Sequence, residues 1–276
     1  MNHLDDLRSL LFAPASDERK LWRALDSDAD AVIADLEDAV VAREKPAARA
    51  SAARILAETG RPGRVVRVNG ADTEYFEDDL HAISDLSLAA VMLPKATPDA
   101  VAALGVDGAP VIAIVETAVG LRLAYETACM PRVSALVLGA ADLGAELGLE
   151  PRADGQELLF ARSTLVIDSA AAGIRPPLDV VHLDTRDGAG LEREAVLARS
   201  LGFGGKLCIH PAQIETVNRV FAPTEAQLAW AESAVAAYEE GVLAGRGAVS
   251  LDGEMIDLPI VERARRLLAT AGRERG

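Results

Sequence analysis

The chain has 276 residues, half of them hydrophobic and 26% charged, with 43 acidic against 28 basic side chains and a formal charge of -15. A chain of this size buries a large core without disulfide staples, and Cys129 and Cys208, its two cysteines, lack the close partners of a zinc or redox site. The acidic excess repels polyanions and so argues against nucleic-acid or anionic-membrane binding, but it leaves room for one small anionic ligand held by local bases or a cation.

In chain order, Met1-Asn-His-Leu-Asp-Asp6 carries acids where a secretory signal carries bases, and no later apolar run reaches the roughly 20 residues that span a bilayer. A soluble cytoplasmic protein is expected. The first short apolar run, residues 9–13, precedes an amphipathic stretch over 17–29 that starts from Ser16 as its cap and puts Leu21, Trp22 and Leu25 on one side. Further apolar runs follow at 31–35, 65–68, 90–93, 111–115, 135–138, 180–183 and 206–209, separated by stretches of helical composition such as 43–58, 156–172 and 190–201. Most runs are continuous rather than alternating, which is how strands buried on both faces read. Eight strands alternating with helices predict a parallel sheet, and eight is the number that closes a (β/α)8 TIM barrel. An open doubly wound sheet is the rival, disfavoured by the lack of a glycine-rich phosphate turn in Phe12-Ala-Pro-Ala-Ser16. The barrel is assigned to residues 1–222. Residues 223–276 read as an extension with a helix over 224–243, a hairpin over 249–256 turning at Asp252-Gly253, and a last helix from Leu258. By pattern alone that extension is an appendage rather than an independent domain, and plugging the bottom of the barrel is one reading of it.

In a parallel barrel, chemistry gathers at the C-terminal ends of the strands. After the second run comes Asp35-Leu-Glu-Asp38; the third contains Arg67 and leads into Asn69-Gly70; the fourth leads to Pro94-Lys95. The fifth ends in Glu116-Thr117, the sixth runs through Gly139 to Asp142, the seventh ends at Asp184 and the eighth at His210-Pro211. Any one of these is also an ordinary cap or turn former. As a set they resist that reading, because Arg67 lies in an apolar run where an unpaired charge is costly and Glu116 ends the most apolar strand. Glu116 and Asp142 offer hard oxygen donors from neighbouring strand ends, which suits Mg²⁺ or Mn²⁺ rather than zinc. The four histidines, His3, His81, His182 and His210, are too scattered for a zinc triad, and His182 reads as a satisfied core histidine. A cation held there lets an acidic protein bind an anionic oxyacid, with Arg67 clamping its carboxylate. Searches for a nucleophile elbow, a Walker loop or a paired catalytic Cys and His find none. Asp187-Gly-Ala-Gly190 reads as a turn before a phosphate loop, and Arg19, Lys20 and Arg23 as a solvated helix face before a nucleotide contact.

Arg8-Ser-Leu-Leu-Phe12 with Pro14, Asp35-Leu-Glu-Asp-Ala-Val40, Arg67-Val-Asn-Gly70, Leu93-Pro-Lys95, Glu116-Thr-Ala118, Gly139-Ala-Ala-Asp-Leu143, Gly205-Lys-Leu-Cys-Ile-His-Pro211 and Met255-Ile-Asp257 follow one another along nearly the whole chain. In this order they resemble the citrate lyase β-subunit and malyl-CoA lyase family of the HpcH/HpaI aldolase superfamily. The resemblance implies a TIM barrel, usually trimeric, that uses Mg²⁺ to cleave or form β-hydroxyacyl-CoA thioesters. It implies that Glu116 and Asp142 hold the metal, that Arg67 binds the acid's carboxylate, and that Glu37 and Asp38 order Arg67 and metal-bound waters. Asp38, Lys95 and Glu116 fall on the substrate side. Asp257 resembles the tail aspartate that reaches a neighbouring subunit's site, and with Arg67 and Glu37 it makes up the implied catalytic set. The implied partners are a CoA thioester and an oxoacid. One departure is Ala141, where many relatives carry Glu or Asn. The expected activity is a reversible Claisen-type cleavage of malyl-, citramalyl- or citryl-CoA. A metal-dependent thioesterase and a non-catalytic subunit of a larger lyase complex are the alternatives.

Overall fold

The computed structural model describes Leu4, residues 7–105 and residues 107–274, so that His3 lies outside the described residues. The chain divides into two units, Met1–Phe221 and Ala222–Gly276. In the first, eight strands close into a barrel in sequence order: β1 (Ser9–Pro14), β2 (Ala31–Asp35), β3 (Arg64–Arg67), β4 (Ala90–Leu93), β5 (Val111–Val115), β6 (Val133–Leu138), β7 (Leu178–Asp179) and β8 (Gly205–Cys208). The last and first strands make the closure, Ser9, Leu10 and Leu11 pairing in parallel with Lys206, Leu207 and Cys208. That pairing excludes the open sheet.

Strand side chains alternate between the two faces, and here both faces are covered. Leu10, Ile33, Val65, Met92, Ile112, Val137 and Leu207 fill the barrel interior. Their neighbours Leu11, Val32, Val66, Val91, Ala113, Leu136 and Cys208 pack outward against the helices. At roughly 1.5–3 kcal/mol for each fully buried aliphatic side chain, these two layers supply the main driving force for closure. They also explain why the runs look continuous in sequence.

The seventh strand departs from expectation. It is Leu178–Asp179 rather than 180–183, with Leu178 paired to Val137 and Gly205 and Asp179 paired to Lys206. The Val180-Val-His-Leu183 run lies past the ladder, and Leu183 is 72% exposed. What marks the true strand is a charge: fully buried Asp179 accepts hydrogen bonds from Lys206 Nζ (2.8 Å) and Arg162 Nε (2.9 Å). An apolar-run search misses it because the strand's outward side chain is half of an ion pair. The first helix, Glu18–Leu25, is capped by Asp17 rather than Ser16, the Asp17 carboxylate accepting from Lys20 N.

In the second unit a helix over Glu225–Leu243 starts with a Thr224–Gln227 capping box, and a helix over Leu258–Glu274 ends it. Between them β9 (Val249–Leu251) and β10 (Glu254–Ile256) form an antiparallel hairpin. Asp252 and Gly253 both adopt positive φ at its turn, as a tight two-residue hairpin loop requires. Ala231, Ala234, Ile256, Val261 and Ala264 form that unit's core. Among the described residues no helix is long and apolar enough to cross a membrane.

Candidate active site

Arg67 ends β3 directly beside Asp35, which ends β2, because the two are register partners in the ladder. The guanidinium donates to Asp35 through Nε and Nη2, each at 2.7 Å. Nη1 lies 2.9 Å from Glu37 Oε2 and 3.7 Å from Asp38 Oδ2, and the Arg67 guanidinium lies 4.8 Å from the Phe12 ring centroid. Burial disfavours the charge, but the Asp35 hydrogen bonds outweigh it and hold Arg67 protonated. Two of five N–H bonds go to Asp35, so both terminal nitrogens keep N–H groups for a ligand carboxylate. Glu37 Oε2 is close to Nη1 but off its hydrogen-bonding direction, and it is buried without a hydrogen-bond partner among the described residues. Burial therefore pushes the Glu37 carboxyl up to about 8, against the opposing pull of Arg67.

Glu116 follows β5 and is 5% exposed. Its Oε1 accepts from the backbone N–H of Lys95, at 2.8 Å. Burial raises its pKa to about 7; the Lys95 amide works against that, and the neighbouring Asp142 carboxylate adds to it. Asp142 stands exposed in the first turn of the helix Ala140–Leu147, which begins immediately after Gly139. A methyl group at Gly139 would come within 2.4 Å of Glu116 Cβ and 2.6 Å of Oε2, so only glycine lets the sixth strand end pass this closely beside the glutamate. Two neighbouring carboxylates with all-oxygen donors form a site short of positive charge, and a hard divalent cation fits it. Among the described residues no group of three or more His, Cys, Asp and Glu side chains is gathered to hold a metal, so an ion on Glu116 and Asp142 would take its remaining donors from water and substrate.

A cavity of about 1040 Å³ brings Asp38, Arg67, Glu116 and Asp142 together, with Phe12 and Gly139 in its wall. Glu37 meets this set through Arg67. The exposed Lys95 contributes through its backbone amide, with its own φ at +48°. His182 also lines the cavity: Nδ1 lies 2.9 Å from Glu194 Oε1, while Nε2 is buried without a hydrogen-bond partner among the described residues, so only one of its two nitrogens is satisfied. His210 serves as a turn cap, accepting from Ala212 N. The Asp187 carboxylate accepts from Gly190 N–H and caps the helix Gly188–Leu201. Arg19, Lys20 and Arg23 are exposed on their helix. Asp257 belongs to the second unit, where its Oδ1 accepts from Ile260 N at 3.3 Å and caps the last helix. Asp35 was missed as Arg67's main partner; the signal was available, since acid and base close two adjacent strands at matching positions.

Residues 8–211 match the HpcH/HpaI aldolase/citrate lyase family. The chain belongs to this family. A (3S)-malyl-CoA thioesterase of Cereibacter sphaeroides is 40% identical over 270 residues, covering 96% of this chain and 94% of the relative. A citrate lyase subunit beta of Leuconostoc mesenteroides is 35% identical over 288 residues, covering 98% and 95%. Among solved structures, protein CitE of Mycobacterium tuberculosis in complex with magnesium, acetoacetate and coenzyme A matches with a TM-score of 0.84 and 37% identity over 98% of this chain and 99% of that one. The citrate lyase β-like barrel and its enzymatic nature follow from these matches, and the family's named members include both lyase subunits and thioesterases.

Proposed function

We propose that the protein is a Mg²⁺-dependent acyl-CoA lyase that reversibly cleaves a β-hydroxyacyl-CoA bearing a free carboxylate, of the malyl, citramalyl or citryl kind, to an acyl-CoA and an oxoacid. The observation that carries this reading is the single cavity that gathers Arg67 with the carboxylates of Glu116 and Asp142. Glu116 and Asp142 would hold the ion, whose chemistry when bound is Lewis-acid stabilisation of negative charge on a substrate oxygen. Arg67 takes the substrate carboxylate with its remaining N–H groups, and Asp35 and Glu37 fix the guanidinium that does so. Asp38 adds a further ion pair to Arg67 on the cavity side. As the carbon–carbon bond breaks, the hydroxyl gives its proton to solvent water, the oxoacid carbonyl forms and the electron pair passes to the α-carbon of the departing acyl-CoA. Asp257, delivered by a neighbouring copy in a trimer, returns a proton to that carbon, and in the condensing direction its carboxylate removes one.

The identity to a (3S)-malyl-CoA thioesterase favours a second reading, in which water attacks the thioester carbonyl in the same cavity. The two separate by product. Incubation with each thioester and Mg²⁺ should release an oxoacid with the acyl-CoA left intact under the lyase reading; hydroxyacid with stoichiometric free thiol and no oxoacid would replace it by hydrolysis.

A further inference from the structure

Beside the Arg67 cluster lies a buried set of charges with no part in the chemistry above. Lys45 is 6% exposed, and its Nζ donates to the carbonyls of Leu36 (2.9 Å) and Glu37 (3.1 Å) and to Asn69 Oδ1 (2.6 Å). An ammonium has three N–H bonds, so each has its acceptor and none is left for a substrate. The Tyr75 ring lies 5.1 Å from the nitrogen. Lys45 is the first residue of the helix Lys45–Glu58, with Pro46 next, and a cation there opposes the helix dipole instead of reinforcing it. Burial also lowers its proton affinity. Neither the helix nor solvation explains a lysine at this place.

Its acceptors do. Leu36 and Glu37 follow β2 directly, and Asn69 stands two residues beyond Arg67 after β3. Asn69 is itself fixed, its backbone N–H and Nδ2 donating to Asp79 Oδ2 at 2.8 and 2.6 Å, while Arg49 Nε holds Asp79 Oδ1 at 2.7 Å. The segment carrying Glu37 is therefore held from two sides. Asp35 accepts the N–H groups of Glu37 and Ala39, and Lys45 takes the carbonyls of Leu36 and Glu37.

We propose that Lys45 is a positioning residue for the carboxylate clamp: it pins the Glu37 backbone to the end of β3 and so sets where the Glu37 carboxylate meets Arg67. This rests on the reading of Arg67 as the clamp. Lys45→Met and Arg49→Met each remove one buried cation from the same network, but only the first frees the Glu37 carbonyl, the Leu36 carbonyl keeping Asn69 Nδ2 at 3.0 Å. Oxaloacetate binding in the presence of Mg²⁺, followed by calorimetry on the full chain, reads the clamp whether the reaction is cleavage or hydrolysis. Both variants are expected to lower Tm. Lys45→Met should weaken oxaloacetate binding on the order of tenfold, as loss of a supporting partner does elsewhere, while Arg49→Met leaves it within about twofold of the parent. The loss should be non-additive with that of Glu37→Ala, since Lys45 acts through Glu37. Equal losses in Lys45→Met and Arg49→Met, no loss in the former, or additivity with Glu37→Ala would overturn the proposal. If Lys45→Met does not fold, Lys45→Gln, which fills similar space and keeps two N–H donors, replaces it with the same direction and the same contrary outcome. Arg67→Lys separates the levels: unchanged oxaloacetate binding there removes the clamp reading itself, whereas a loss there without one at Lys45 removes only the role of Lys45.

Discussion

At the scale of single residues, Arg67 shows why arginine cannot be exchanged for lysine. Its fork reaches Asp35 with two parallel N–H bonds while a third nitrogen faces Glu37, a geometry that a single ammonium cannot reproduce. Arg67→Lys is expected to lower kcat/KM for a carboxylated thioester by about 10–100-fold, mainly through KM, in steady-state assays. Glu116→Gln should abolish metal-dependent turnover with the circular dichroism spectrum unchanged; retained turnover would remove Glu116 from the metal site. Glu37 sets a pH dependence. Its carboxyl is raised by burial from 4.5 to about 8, so between those values the folded protein holds a proton that the unfolded chain has lost. That contribution is complete below 4.5 and disappears as the pH rises through about 8. Urea unfolding in the presence of a chelator should accordingly show stability falling between pH 5 and pH 8, with a shallower fall in Glu37→Gln.

At the scale of elements, the strand ends determine what the site can be. Gly139 is in an ordinary region of backbone space, φ -97°, and is needed because the sixth strand end passes against Glu116. Gly139→Ala should cost about 1–3 kcal/mol in unfolding free energy through overpacking and displace Glu116, so activity falls further than stability alone explains. Next to the sixth strand, β7 and β8 are joined by Lys206 and Asp179, both with fully buried side chains. Lys206→Met leaves Asp179 with Arg162 alone, and a loss of about 3–5 kcal/mol is expected from breaking such a pair, measured by urea unfolding. A change under about 1 kcal/mol would mean that Arg162 suffices.

At the scale of the whole molecule, the formal charge of -15 is mostly ordinary surface, while Asp35, Asp38, Glu116 and Asp142 concentrate a share of it around Arg67 and the proposed cation. An acidic protein can thus take an anionic substrate, because the positive charge that matters is local. If Asp257 completes a neighbour's site, Glu116→Gln and Asp257→Asn are each inactive alone, and co-expressed mixtures regain partial activity through sites that combine one intact contribution from each subunit. Mixtures as inactive as their parents would confine Asp257 to its own chain or remove it from the reaction.

The residues alone determined the barrel, because strands buried on both faces must be apolar throughout and eight such runs alternate with helices. They also picked out Arg67, Glu116 and Asp142, because polar residues closing apolar runs stand out by contrast. Only the tertiary structure decided which partner each of these has. Asp35 rather than Asp38 carries the main bond to Arg67, Lys95 acts through its backbone, and β7 is drawn by an ion pair instead of an apolar run. Lys45 was invisible in sequence for the same physical reason: a lysine beginning a helix looks solvated until the chain folds two strand ends around it, and which carbonyls meet an ammonium depends on register across the sheet.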